Sequence, residues 1–424
     1  MLRRLRYLAG QPVAHNAAFL MLVQAATLLV PFLTLPWVLR ALQPAAFGRF
    51  AFYQSIAQYF IILVEFGFYL TATKRIAELR WDTVRRTQYF WTVQAAKTMI
   101  AAVVGAILAV VLLIVPLPPG DRLLMIASLA TIIGTVLTPM WLFAGMERMG
   151  FISTSVIISR VAMVPVTLWL VRSPTDAWIA AAIVSAGNVL AGVIALLLVW
   201  QSRLVTRWYL PCWSEVLASY RDAWHLFLSN GATSLYAAAN PVLLATVSSS
   251  TQVGLFGAAD RIRQISLGIV PPISNAFYPH ISRTMASDRA AGLRLARRLL
   301  TLFVGLTAAV SLVLFAVAPM VVDVIMGPGY EGSILVLRIL AAVPLLVGVS
   351  TCLGTLTMLP LGLTRQYSRI LLWCGLGNLC LLPSLGTTFG AVGAAISLVM
   401  TELAVAISML ATVMLHGFRL GGRS

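Results

Sequence analysis

The sequence predicts an all-α polytopic membrane protein of about twelve spans, in two six-helix bundles with both termini on the cytoplasmic side. Three observations carry this expectation. The 424 residues are 60% hydrophobic and only 10% charged, less than half the charged share, about 25%, of a soluble protein. Apolar runs of 20 or more residues recur along the chain, whereas a β-barrel would show short alternating segments. The net charge of +17, all arginine apart from Lys74 and Lys97, is distributed unevenly between the connections.

In chain order, spans are expected at 15–39, 46–73, 88–115, 123–145, 151–171, 177–200, 225–247, 253–281, 299–322, 334–357, 369–385 and 390–416. The run after MLRRLR, Ala17 to Leu39, exceeds the apolar core of a signal peptide and lacks a clear cleavage site, so it reads as a retained first span. With the N-terminus inside, 21 of the 30 lysines and arginines fall on inner segments and 4 on outer ones. The positive-inside rule therefore sets the orientation and favours an even number of spans. It also accounts for the basic charge without a nucleic-acid partner. Outer connections are short, for example GPGYEGS at 327–333. The inner connection 201–224, with WYLPCWSEVLASYRDAW, reads as an amphipathic segment at headgroup depth. It divides a bundle at 1–200 from one at 225–424. FGRF (47–50) and VGLF (253–256) open corresponding spans, with Pro36 and Pro241 before them at almost the same offset, as in an internal duplication.

Ionisable residues inside spans are costly and mark function. Glu65, Lys97, Arg160, Asp260, Arg261, Arg263 and Glu402 lie at depth, and Arg338 lies near an outer end. Asp260 and Arg263 share a helix face at i, i+3 and can pair. Arg261 then lacks a local partner and would need Glu65, Glu402, water or a substrate. Lys97 and Arg160 either pair with Glu65 or join Arg261 in a cationic, water-filled cavity. Pro271-Pro272, Pro36 and Pro241 are candidate hinges, since proline removes a helical hydrogen bond. The cysteines Cys212, Cys352, Cys374 and Cys380 form no CxxC and read as small apolar residues. No HExxH, Walker A or GxSxG motif is present, so neither an enzyme nor an ATP-driven pump is expected, nor a metal or other cofactor.

PFLTLPWVLRAL with FGRF (31–50), EFGFYLTATKRIAE (65–78), PMWLFAGMERMGFI (139–152), VGLFGAADRIRQ (253–264), PPISNAFYPHIS (271–282) and LGTLTMLPLGLTRQYSRI (353–370) carry a resemblance over nearly the whole chain. In this order they resemble the Wzx-like O-antigen and polysaccharide repeat-unit flippases of the MOP superfamily. That resemblance implies a MOP flippase-like fold and transfer of undecaprenyl-pyrophosphate-linked oligosaccharide from the cytoplasmic to the periplasmic leaflet of the bacterial inner membrane. It implies alternating access coupled to an ion gradient. The implied partners are the lipid-linked oligosaccharide, membrane lipids, and polymerase and chain-length proteins of the same lipopolysaccharide pathway.

Applied to these residues, Arg261, Arg263, Lys97 and Arg160 are expected to hold the pyrophosphate, because guanidinium groups clamp phosphate bidentately. Lys74 and Arg75 either draw it in or serve as topology charges. Glu65, Asp260 and Glu402 are the carboxylates for ion coupling. A drug or cation antiporter of the same superfamily would need a cavity of net negative charge. An integral-membrane polymerase or glycosyltransferase would need a large periplasmic loop, which the sequence lacks.

Overall fold

The computed structural model describes residues 12–416, with side chains described from 33 to 225, at 227 and from 239 onward. The described residues are helical with no strand. Eight helical stretches are long and apolar enough to cross a membrane. The chain is a multi-pass α-helical membrane protein.

The helices follow from the solvent. In hydrocarbon every backbone polar group must be satisfied within its segment, so the chain stays helical wherever its neighbours are apolar. The first helices are α1 (Pro12–Glu65), α2 (Phe68–Glu78), α3 (Thr83–Ile114), α4 (Pro119–Leu129) and α5 (Thr131–Leu137). There follow α6 (Met140–Gly145), α7 (Met149–Leu170), α8 (Ala177–Gln201) and α9 (Trp213–Val247). After them come α10 (Ser250–Leu267), α11 (Val270–Ser287), α12 (Arg289–Val321), α13 (Ser333–Leu340), α14 (Val343–Leu353) and α15 (Thr364–Leu415).

Two helices are too long to be single spans. α1 has 54 residues and α15 has 52. Either would measure about 80 Å if straight, against a hydrocarbon core of about 30 Å. Each is broken once. Gln43 (φ 58, ψ 168) interrupts α1, immediately before Pro44, whose ring disfavours helical geometry in the preceding residue. Gly390 (φ 57, ψ −128) interrupts α15, in a conformation open to glycine. Beyond it the chain doubles back so closely that a Cβ on Gly393 would overlap the Leu385 carbonyl. The amide of Ala391, freed by the break, donates to Gln252 Oε1 at 2.9 Å.

The break at Gln43 falls between the spans expected at 15–39 and 46–73, whereas Pro36, a candidate hinge, lies within continuous helix. Pro241 is likewise inside α9. Helix α15 runs through Gly375, Gly377 and Pro383 and through the expected loop 383–390, ending its first leg only at Gly390. The span expected at 46–73 is cut at Phe66 (φ 42) and Gly67 (φ 76). The span at 123–145 is three helices, α4 to α6. The span at 253–281 is two, α10 and α11. Pro271 and Pro272 lie in the first turn of α11, where missing amide hydrogens cost nothing.

The chain forms two compact units. One contains the described residues up to Leu42 together with Phe52–Ala238. The other contains Gln43–Ala51 and the chain from Ala239. The core of the first gathers Phe68, Ala72, Ile76, Phe90, Trp141 and Phe143. A Cβ on Gly145 would come within 2.7 Å of the Thr73 carbonyl, so α2 and α6 pack backbone to backbone. The core of the second gathers Val270, Leu299, Phe303, Leu353, Leu356 and Met409.

The short segment Gln43–Ala51 packs on α10 within the second unit. A Cβ on Gly48 would overlap the Ser250 carbonyl, and one on Gly254 would overlap the Pro44 carbonyl. Each glycine stands four residues after the residue that receives the other. FGRF and VGLF, matched in sequence, thus meet in a locally two-fold contact.

Candidate functional site

Lys97 lies on α3 with no exposed surface. Its Nζ donates to Glu65 Oε1 at 2.9 Å and to the Thr135 carbonyl at 2.8 Å. Both acceptors stand at helix C-termini, α1 ending at Glu65 and α5 at Leu137. The partial negative charge of these ends adds to the carboxylate. Glu65 keeps 37% of its side chain accessible. Lys97, expected to face a ligand, is instead wholly enclosed as the counter-ion of Glu65. Arg160, on α7, is half-buried and has an interaction of its own.

On α10 the four-residue run from Asp260 divides its labour. Arg263 Nε donates to Asp260 Oδ1 at 2.6 Å, and Gln264 Nε2 donates to Asp260 Oδ2 at 2.6 Å. The pair is nearly buried, with side-chain exposures of 13% and 12%. Arg263 and Asp260 therefore satisfy each other. Arg261 projects elsewhere on the same helix, is exposed, and has no hydrogen bond or ion pair among the described residues. Glu402, on the second leg of α15, is half-buried and also lacks a hydrogen-bond partner among them. It interacts electrostatically with Arg263.

A cavity of about 570 Å³ opens between α2, the start of α3 and the start of α9, inside the first unit. Lys74, Arg75 and Arg85 contribute cations. Arg75 is partly spent on Glu78 at 2.9 Å, and Arg85 on Asp82 at 3.4 Å. Glu215 caps the first turn of α9, accepting from the Cys212 amide at 3.0 Å and from the Tyr209 hydroxyl at 2.9 Å. That hydrogen bond raises the Tyr209 phenol above its usual pKa, because an acceptor carboxylate favours the protonated donor.

Two constellations escaped the sequence. Arg86, counted there only as a topology charge, is buried. Its Nε donates to the Leu204 carbonyl at 3.0 Å and its Nη1 to the Arg80 carbonyl at 2.6 Å, tying the segment after α8 to the turn between α2 and α3. In the second unit, Asn378 Nδ2 donates to Asn240 Oδ1 at 2.8 Å, and Asn378 Oδ1 accepts from Ser397 at 2.7 Å and Thr401 at 3.2 Å. All four are buried. Uncharged residues of this kind give no signal in a search for charges at depth. Asn378→Leu leaves the buried Asn240 Oδ1 and Ser397 hydroxyl unsatisfied, at about 1–3 kcal/mol each, while Thr401 keeps its bond to the Ser397 carbonyl at 2.8 Å. The variant's melting temperature in detergent should fall by several degrees, and an unchanged value would mean that the network contributes nothing.

The fold is that of the MOP-superfamily transporters. A multidrug resistance MATE family transporter of that superfamily, in an inward-facing conformation, superposes with a TM-score of 0.69 at 14% identity, over 92% of this chain and 94% of that one. The lipid II flippase MurJ, inward closed, does so with a TM-score of 0.63 at 12% identity, over 93% and 87%. Residues 13–285 match the model of the family described as polysaccharide biosynthesis protein. A relative from Escherichia coli (strain K12), named as a candidate O-antigen transporter, is 35% identical over 93% of this chain and 95% of its own. A second of the same name, from Shigella dysenteriae, is 28% identical over 94% and 99%. The chain belongs to the polysaccharide biosynthesis protein family.

Proposed function

We propose that the protein is a flippase for lipid-linked polysaccharide precursors. Its substrate is an undecaprenyl-pyrophosphate-linked oligosaccharide repeat unit, moved from the cytoplasmic to the periplasmic leaflet of a bacterial inner membrane. About twelve spans in two six-helix bundles, divided by the 201–224 connection and with both termini cytoplasmic, carry the movement by alternating access. The chain is a transporter and catalyses no covalent step. The named relatives support the substrate class.

The observation that carries this reading is Arg261. It is an exposed cation with no hydrogen bond or ion pair among the described residues, on a helix whose other two charges pair with each other. A guanidinium held at membrane depth needs an anion, and a pyrophosphate is an anion of matching geometry. A drug-cation antiporter would place a free carboxylate there, and Asp260 is saturated. For ion coupling, Glu402 is the strongest of the three carboxylates, since Glu65 is committed to Lys97 and Asp260 to Arg263 and Gln264.

The test is surface glycan in a strain whose own copy is deleted. Arg261→Gln should reduce surface polysaccharide at least tenfold, the loss expected from one charged hydrogen bond of about 1.5–3 kcal/mol, while protein in the membrane stays constant. Wild-type glycan levels from Arg261→Gln would overturn the assignment.

A further inference from the structure

The cavity of the first unit contains groups that the folded protein leaves unused. Lys74, the Gln88 amide, the Tyr89 hydroxyl and the Asp222 carboxylate all line it. None has a hydrogen-bond or ion-pair partner among the described residues. The volume, about 570 Å³, falls in the range of small-molecule sites, about 300–1,000 Å³. Its two walls differ in charge. Lys74, Arg75 and Arg85, with the single anion Glu78, come from α2 and α3, whereas Asp222 and Glu215 come from α9.

The first turns of α9 face two ways. At 100° per residue, Trp213, Leu217 and Trp224 fall within about 40° of one another, with Arg221 flanking them. These side chains are 62%, 55% and 46% exposed. Glu215 and Asp222 lie on the opposite side, roughly 160–200° away. Val216, Ser219 and Ala223 are buried. The Tyr220 hydroxyl donates to the Ala96 carbonyl at 2.7 Å, which pins the helix to α3. Exposed Trp208 and Leu210 in the preceding connection continue the apolar stripe. Tryptophan and leucine with flanking arginine is the pattern of a helix lying in the headgroup layer. One helix therefore borders the membrane interface on one side and the cavity on the other.

We infer that this cavity is a docking site for a glycosyl phosphate presented by a lipid. Lys74, with Arg75 and Arg85, takes the phosphate. Asp222, Gln88 and Tyr89 take hydroxyl groups of the sugar next to it, since carboxylate and amide groups accept from and donate to a polyol where bare cations cannot. Trp213, Leu217 and Trp224, on the opposite side of α9, hold the cavity at headgroup depth, where a lipid presents its phosphate. This site deepens the flippase reading, on which it rests, and it is separate from Arg261.

The experiment uses the full-length protein in nanodiscs and three probes: farnesyl diphosphate carrying one hexose, farnesyl diphosphate alone, and a soluble hexose 1-phosphate. The sugar-bearing lipid should bind at least tenfold more tightly than the soluble sugar phosphate. Lys74→Gln should weaken both lipid probes at least fivefold. Asp222→Asn should weaken only the sugar-bearing one, which a merely structural role would not single out. Lys74 and Asp222 are exposed and have no hydrogen bond or ion pair among the described residues, so matching melting temperatures are expected and verify folding. Affinities for the sugar-bearing lipid within twofold of wild type in both variants would overturn the site. Equal binding of soluble and lipid-borne sugar phosphate would overturn its lipid source. If those results came while Arg261→Gln still abolished glycan export, the docking site would fall and the flippase reading would stand. If the docking results held and Arg261→Gln exported normally, the reverse would follow.

Discussion

Glu65→Gln is expected to destabilise the protein by about 3 kcal/mol, more than Lys97→Met does, and the double variant should recover most of that loss. The asymmetry follows from burial. Lys97 has no exposed surface, whereas Glu65 keeps 37% of its side chain accessible. Replacing the carboxylate with a neutral amide leaves an enclosed ammonium without its counter-charge, hydrogen-bonded only to neutral oxygens such as the Thr135 carbonyl. Removing the ammonium leaves a carboxylate that can still reach water. Removing both leaves an apolar side chain in an apolar site, which is commonly close to neutral. Melting temperatures in one detergent should rank Glu65→Gln lowest, Lys97→Met next and the double variant near wild type. If the double variant melted below both singles, the pair would not be the coupled unit described.

The second large effect is expected at Gly254 and Gly48. Valine at 254 would collide with the Pro44 carbonyl, and alanine at 48 with that of Ser250. A backbone carbonyl on a helix cannot swing aside as a side-chain tip can, so the two helices must separate. Overpacking costs typically about 1–3 kcal/mol, and a backbone contact belongs at the upper end. The separation can be read with a disulfide. The Cβ position of Gly257 lies 3.3 Å from that of Ala51, close to the cysteine Cβ spacing of about 3.8 Å. Ala51→Cys with Gly257→Cys should cross-link readily with Gly254 present and at least tenfold more slowly with Gly254→Val. Equal rates would mean that the helices do not rely on the glycine contact.

Much of this was legible before any coordinates. The i, i+3 spacing of Asp260 and Arg263 identified their pairing and isolated Arg261, because that relation is local to one helix. Pro271-Pro272, the candidate hinge inside one expected span, lies instead in the first turn of a separate helix, α11. The internal match between FGRF and VGLF indicated a duplication, but it did not say that the two copies would touch. What stayed hidden depends on distant parts of the chain. The partner of Lys97 is fixed by where α1 and α5 end, and those ends follow from Phe66, Gly67 and Pro139 rather than from charge. The break in α1 falls between the spans expected at 15–39 and 46–73, but its cause, the constraint that Pro44 imposes on Gln43, was not identified, and the candidate hinge Pro36 lies in continuous helix. Gly375, Gly377 and Pro383 weaken a helix, yet the surroundings hold helix through all three. The Asn378 network is uncharged and drew no notice. The cavity beside Lys74 needed the fold of α9 across α2 and α3 to become visible.

Arg86 is read twice in the life of this protein. In the proposed topology its charge counts with its neighbours in holding that loop on the cytoplasmic side during insertion, and a lysine would serve that purpose equally. Once the chain has folded, its planar fork tethers two carbonyls from separate connections, and an ammonium cannot reproduce that geometry. Biogenesis tolerates any cation at this position while the finished structure accepts only one, so a tally of positive residues records the first demand and is blind to the second.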